Sequence, residues 1–138
     1  MALFSIRGRR PTGIGVRGSQ LAPCPASPNC VCSDESDAQH AISAFSLAVP
    51  AALAWAAARQ AVLALPRTEI VSEQPEYLHA ECASALFGFV DDVELHLRPQ
   101  AGIIGVRSAS RVGYSDFGVN RRRVEAIRAA LVSRGVLR

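Results

Sequence analysis

The chain of 138 residues contains no lysine, so all 15 of its basic side chains are arginine. That absence excludes Schiff-base chemistry and a phosphate-loop lysine. It also leaves every fixed cation a planar fork suited to carboxylate or phosphate. Aromatic residues make up only 6% of the sequence, and no basic stretch interleaves them as a stacking platform for nucleic-acid bases would. Long apolar runs are missing as well. The longest, residues 51–58, falls far short of the roughly 20 residues that span a bilayer. The first twenty residues lack the apolar core of a secretory signal, and Gly13, Gly15 and Gly18 disfavour the amphipathic helix of a transit peptide. These absences lead to the expectation of a cytoplasmic protein without a transmembrane segment.

What is present is an ordinary globular composition, 49% hydrophobic and 20% charged. A net charge of +3 conceals a strong asymmetry. Residues 1–20 carry four Arg and no acid, residues 21–106 hold three Arg against ten acids, and residues 107–138 hold eight Arg against two acids. We read residues 1–20 as a basic, mobile arm and residues 21–138 as a single globular domain. The domain taken alone is close to neutral, so no nucleic-acid partner is expected for it. Acidic and basic parts that neutralise each other within one fold are the plainer account of the asymmetry.

Residues 21–48, rich in Pro, Ser, Asp and Cys, read as a loop. Pro50 suits a helix start, and the Ala-rich stretch that follows stops at Pro66, with Trp55, Ala58, Val62 and Leu65 on one face. The period then changes to two. Residues 77–83, 87–97 and 103–110 read as strands, with a shorter one at 69–72 and a turn at 98–102. A final helix begins after Asn120, taken as its N-cap, and runs to Arg134 before Gly135, with Val124, Ile127 and Leu131 as its buried stripe. The order predicts an α+β domain, an antiparallel meander of three to four strands with two helices packed on one face.

Two places carry chemistry. In residues 87–97 the odd positions are apolar apart from Asp91, which a regular strand turns toward the core. A carboxylate there needs a partner, and Arg107 or Arg111 on the next strand is the expected one, unless a bulge turns Asp91 and Asp92 outward. From Arg107 to Arg123 a strand, a loop with two Gly and a helix start bring together Arg, Ser, Tyr, Asp and Asn. Three Arg in the first helical turn oppose the helix dipole and call for negative charge nearby, from Asp116, Asp91 and Asp92 or from a ligand. Residues 107–123 match neither the phosphate-loop nor the GxGxxG pattern, Ser115 lacks the GxSxG elbow, and no cofactor is expected.

Cys24 and Cys30 enclose a Pro-stiffened loop that could close as a disulfide in an oxidising compartment. With Cys32 and Cys82 their spacings depart from zinc patterns, and no metal site is expected. Cys82 reads as a small core residue, and His40, His79 and His96 form no recognised ligand motif.

Three segments, residues 24–31, 87–94 and 107–123, carry a resemblance to the domain-of-unknown-function family numbered 1499, covering roughly residues 21–134. The most specific is the Ser-Ala-Ser-Arg-Val-Gly-Tyr-Ser-Asp-Phe-Gly-Val-Asn string. The resemblance implies a small domain of bacteria and photosynthetic eukaryotes, some members exported or plastid, with no settled activity and no catalytic assignment. The Cys24 and Cys30 pair fits the family pattern, whereas relatives often have Ser at Cys32 and usually no Cys at Cys82.

The expectation drawn from all this is a module binding a small anionic or polar ligand at Asp91, Asp92, Arg107, Ser108, Ser110, Arg111, Tyr114, Ser115, Asp116, Asn120 and Arg121. Arg107 and Arg111 would clamp the anion and Asp91 or Asp92 would hold an Arg in place. One alternative is an enzyme of hydrolase or isomerase type using Asp91 or Asp92 with the Arg cluster. Another is an interaction or assembly factor whose Arg-rich arm and last helix meet an acidic partner or an anionic membrane.

Overall fold

A computed structural model describes residues 7–138. Two short strands, β1 (Val16–Arg17) and β2 (Gln20–Leu21), form a hairpin of their own. The main sheet takes β3 (Cys30–Cys32), β4 (Phe45–Ser46), β5 (Thr68–Gln74), β6 (Tyr77–Ala83), β7 (Val90–Arg98) and β8 (Ile103–Ser110). Helix α1 (Ala51–Leu63) precedes β5, and α2 (Val119–Ser133) follows β8. The meander β5-β6-β7-β8 is antiparallel throughout, and β3 and β4 both add to the far edge of β8. The domain is α+β as expected, but its sheet has six strands. The two extra ones lie in the segment read as loop. They are two and three residues long, too short for a period of two to register, and their pairing depends on β8 rather than on local propensity.

Alternation sorts the strands into two unlike faces. Leu78, Ala80, Val93, Leu95, Ile104 and Val106 point to the side covered by both helices and pack with Val62, Val124, Ile127 and Leu131 into the main core. The register Cys82↔Asp91↔Ser110 places those three side chains on the same side at the sheet's end. Tyr77, His79 and Glu81 of β6, Asp92 and Glu94 of β7 and Arg107 of β8 point the other way, yet all six are buried.

Residues 7–24 supply the cover for that second face. Arg10 Nε donates to Glu81 Oε2 at 2.6 Å, Gly15 N to Glu94 Oε2 at 2.8 Å, and the Pro23 carbonyl accepts from Arg107 Nη2 at 3.1 Å. Leu21 packs on Cys32 and Tyr77 as a small second core. Of the arm expected at residues 1–20, residues 1–6 lie outside the described residues, and residues 7–20 rest on the sheet.

The expected strand at residues 87–97 starts three residues later. Gly88 takes φ +68, which ends the extended backbone, so Phe87 and Phe89 leave the core face and stand half exposed on the connecting loop. The turn after β7 is a 3-10 turn at Pro99–Ala101 closed by Gly102 at φ +66.

Candidate functional site

The residues expected to form one site fall on opposite faces of the sheet. On the outer face Arg111 donates Nε to Asp92 Oδ2 and Nη2 to Asp92 Oδ1, both at 2.8 Å, and also pairs with Glu81. His79 Nε2 meets Asp92 Oδ1 at 2.6 Å. Arg107 Nη1 donates to Glu94 Oε1 at 3.3 Å, and the Tyr77 hydroxyl donates to Glu94 Oε2 at 2.7 Å. Neither Arg107 nor Arg111 reaches Asp91, because both lie on the outer face and Asp91 on the other. Burial alone would raise the Asp92 carboxyl, but the Arg111 and His79 contacts hold it below its ordinary range. Arg10 and then Arg111 hold Glu81 below its range against burial. This layer is a closed network under residues 7–24, so Arg107, Arg111 and Asp92 are not an open anion clamp.

The remaining candidates meet at the start of α2. Helix α2 begins at Val119 after Gly118 at φ +81, so Asn120 is not its N-cap but a buried residue of the first turn. Its side chain donates to Ser110 Oγ at 2.9 Å, Asn29 O at 3.2 Å and Asp116 Oδ2 at 2.8 Å, and accepts from Ser108 Oγ at 2.7 Å. Asp116 does the capping, accepting from Gly118 N at 2.8 Å and Asn120 N at 3.0 Å. Burial works against the Asp116 carboxylate, but these donors hold it below its ordinary range. Arg121 reaches back to the Ala41 carbonyl at 3.0 Å, which ties α2 to the loop before β4.

The Asp91 partner is Arg123, whose Nη2 lies 2.8 Å from Asp91 Oδ2, while its Nη1 donates to Asn120 Oδ1 at 2.8 Å. Sequence reasoning missed Arg123 because strand neighbours were sought and the partner comes from a helix. The signal was there, in the dipole-opposing Arg121, Arg122 and Arg123. Burial pushes the Asp91 carboxyl above its ordinary range, opposed by Arg123 and Ser110.

Above this polar floor opens a cleft of about 680 Å³. Cys82, Asp91, Ser110, Asp116 and Arg123 line its base, and Leu65, Pro66, Phe89, Val90, Val112 and Val119 its walls. Ser115 also lines it, whereas Tyr114 stands exposed on the same loop. Arg67 and Arg122 stand at its mouth, each donating one group to a backbone carbonyl, Ala83 O at 2.9 Å and Phe117 O at 2.9 Å. Among the described residues, the two non-glycines with positive φ, Arg67 at +50 and Phe117 at +53, both border this cleft.

Cys24 and Cys30 are joined by a disulfide, with Cα atoms 5.6 Å apart. The bridge fixes Asn29, whose backbone carbonyl accepts from Ser110 N at 2.9 Å and whose Nδ2 donates to Gly113 O at 2.9 Å. Cys32 lies on the outer face and Cys82 on the helix face, so the sheet separates the two free thiols. Burial pushes the Cys32 thiol up to about 11.

The family described as Protein of unknown function (DUF1499) matches residues 20–131. The chain belongs to that family. The DUF1499 match takes in every strand of the main sheet, all of the cleft's lining residues and nearly all of α2. No curated protein and no solved structure matches the chain. No helix among the described residues is long and apolar enough to cross a membrane.

Proposed function

We propose that this DUF1499 domain is a binding module for a small amphipathic ligand, its apolar body held between the cleft walls and its anionic or polar head held by Arg122, Arg67 and the Asp91–Arg123 floor. The observation that carries this reading is the cleft itself. It is concave, walled mainly by apolar side chains, and has a few converging polar groups at one end, the general form of a small-molecule site. The two strained backbones at its border are the second support. Left-handed non-glycine residues cost of order 1 kcal/mol or more and persist where the surroundings hold them, commonly at ligand sites.

The expected clamp of Arg107 and Arg111 has no part in this reading, since residues 7–24 cover both. Of the expected site, Asp91, Ser110, Ser115 and Asp116 remain as lining groups and Ser108 and Asn120 as the support beneath them. An enzymatic reading also survives only on this side of the sheet. Asp91, raised by burial, would act as the acid, while Asp92 is engaged under the cover.

Titration with 1-anilinonaphthalene-8-sulfonate, an apolar fluorophore bearing one sulfonate, tests the proposal. Saturable binding of one probe per chain is expected. Val112→Trp should weaken it at least about tenfold by filling the wall, since a mismatched apolar wall is worth roughly 1–3 kcal/mol. Arg122→Gln should weaken it severalfold through the head. Nonsaturable binding, or binding indifferent to both changes, would overturn the reading.

A further inference from the structure

Aromatic residues are scarce in this chain, and their placement is uneven. Of its five Phe, three (Phe87, Phe89 and Phe117) are exposed on the two loops that flank the cleft mouth, residues 84–89 and 111–118. Leu86 is 76% exposed, Phe117 84% and Tyr114 73%. Eleven large apolar residues stand exposed among the described residues, and seven of them belong to residues 86–89 and 112–119. Scattered exposed apolar residues are ordinary in a soluble domain, whereas a contiguous set on adjoining loops marks an interaction surface.

The charge beside this rim chooses the partner. Arg67 and Arg122 stand exposed at its base. The acids lining the cleft face inward, Asp91 onto Arg123 and Asp116 onto the first turn of α2. The rim therefore presents apolar and aromatic tips above a cationic collar. A second copy joined through the same patch about a twofold axis would bring the two collars of Arg67 and Arg122 together, while the acids lining the cleft, Asp91 and Asp116, are already engaged. An anionic bilayer meets both parts at once: Leu and Phe side chains enter the acyl boundary, Tyr114 settles at the headgroup level, and the guanidinium groups lie among lipid phosphates.

We propose that residues 84–89 and 111–118 form a docking surface by which the domain sits on an anionic lipid bilayer, with Leu86, Phe87 and Phe117 inserted and Arg67 and Arg122 on the lipid phosphates. The proposal shares Arg67 and Arg122 with the cleft reading but rests on the exposed apolar side chains of the rim. It also moves the surface. The sequence suggests the Arg-rich arm and the last helix for an acidic partner or an anionic membrane, whereas Arg7 and Arg10 are turned onto Glu81.

Co-sedimentation of the full chain with vesicles, of pure phosphatidylcholine or of phosphatidylcholine with 30% phosphatidylglycerol, tests it. Binding to the anionic vesicles is expected, with weak or no binding to the neutral ones and a loss in 0.5 M NaCl. Arg67→Gln with Arg122→Gln should lower the vesicle partition coefficient roughly thirtyfold, as expected for two arginines at an anionic surface. Leu86→Ser with Phe87→Ser should lower it at least about tenfold, as removal of that apolar area from the bilayer requires. Leu53→Ser, at an equally exposed site on α1, should leave it unchanged and serves as the control. Because the changed side chains are exposed, the circular dichroism spectrum and melting temperature should stay those of the parent. Equal partition to both vesicle types, no partition to either, anionic binding that survives Leu86→Ser with Phe87→Ser, or a rim-dependent dimer in place of vesicle binding would each overturn the proposal. Saturable fluorophore binding without vesicle binding would overturn it while leaving the cleft reading intact.

Discussion

On the outer face of the sheet, Glu81, Asp92 and Glu94 meet Arg10, Arg107 and Arg111 beneath residues 7–24, and nearly every polar atom has a partner. At the end of the helix face, Asp91, Asp116 and Arg123 meet beneath an open cleft with apolar walls and exposed aromatic edges. The first region is richer in charge, yet its charges satisfy one another. The second has fewer, and what sets it apart is unfilled concave space and apolar surface left in water. A cluster of Arg and Asp therefore does not by itself mark a site. A buried ionic network is weak evidence of either stability or function, and its main demand is that no member be left alone.

The comparison breaks most readily at Arg111. Arg111→Met leaves Asp92 and Glu81 buried beside fewer cations and should cost about 3–5 kcal/mol in chemical denaturation. Replacing the group together, as Arg111→Met with Asp92→Leu and Glu81→Leu, should recover most of that loss, because apolar side chains of similar volume tolerate the same burial. A loss below about 1 kcal/mol for Arg111→Met would mean that the outer face is not structural, and the contrast with the cleft would disappear.

Acid should act on the outer face as well. Asp92 and Glu81, and also Asp34 after β3, which accepts from Arg98 Nη2 at 2.6 Å, have folded-state carboxyls below their ordinary values of 3.8 for Asp and 4.5 for Glu. Each thus contributes stability that is complete above the unfolded value and is lost as pH falls through that value toward the folded one. The melting temperature should stay level from neutral pH to about 5, then fall steeply below about 4.5. Asp91, shifted the opposite way by burial, contributes in the reverse sense: its share is present at low pH and is lost as pH rises above the ordinary carboxylate range. A melting temperature that rises between pH 4.5 and 3 would show Asp91 outweighing the three lowered acids.

Between these faces lies the disulfide. Reduction, or Cys24→Ser with Cys30→Ser, releases a loop of six residues' separation and should cost about 2 kcal/mol by loop-closure entropy. It should also free Asn29 from the Ser110 and Gly113 backbones, so fluorophore binding in the cleft should weaken with it. Unchanged binding after reduction would separate the bridge from the site.

How much of this was readable beforehand depends on the range of the forces involved. Strands 77–83 and 103–110 carry period-two patterns bounded by Pro or Gly, and the structure begins and ends them at those residues. The inward turn of Asp91 follows from the same alternation. The identity of its partner does not, because alternation relates neighbours within a sheet and says nothing of a helix laid across it. The burial of Tyr77, His79, Glu81 and Glu94 also lies beyond alternation, because it comes from residues 7–24, more than 50 positions away in sequence. The one advance signal was the charge asymmetry, four Arg without an acid ahead of an acidic middle, and mutual neutralisation was the plainer account of it. Asp91, Ser110, Ser115 and Asp116 line the cleft and stood out in the sequence, whereas its apolar walls did not: Phe87 and Phe89 fit the strand pattern, which concealed that Gly88 delays the strand's start to Val90.

The cap at Asp116 gives a smaller and more local test. Asp116→Ala removes the acceptor for Gly118 N and Asn120 N and should cost about 1–2 kcal/mol, the usual range for a lost helix cap. Asp116→Asn keeps an acceptor oxygen and should cost less. The difference between the two variants measures how much negative charge the first turn needs against Arg121, Arg122 and Arg123.

The smallest stability effect should come from the cleft, and its smallness is the informative result. Val112 and Arg122 are exposed and support no core, so Val112→Trp and Arg122→Gln should shift stability by no more than about 0.5 kcal/mol, as surface changes generally do. The same two changes should weaken fluorophore binding by the larger factors given above. Arg10→Gln on the outer face should do the reverse, lowering stability by loosening Glu81 while leaving the probe's affinity as it was. If all three variants lost stability and affinity in proportion, binding would be reporting on folding alone. The division of the sheet into a structural face and a binding end requires the two losses to separate by variant.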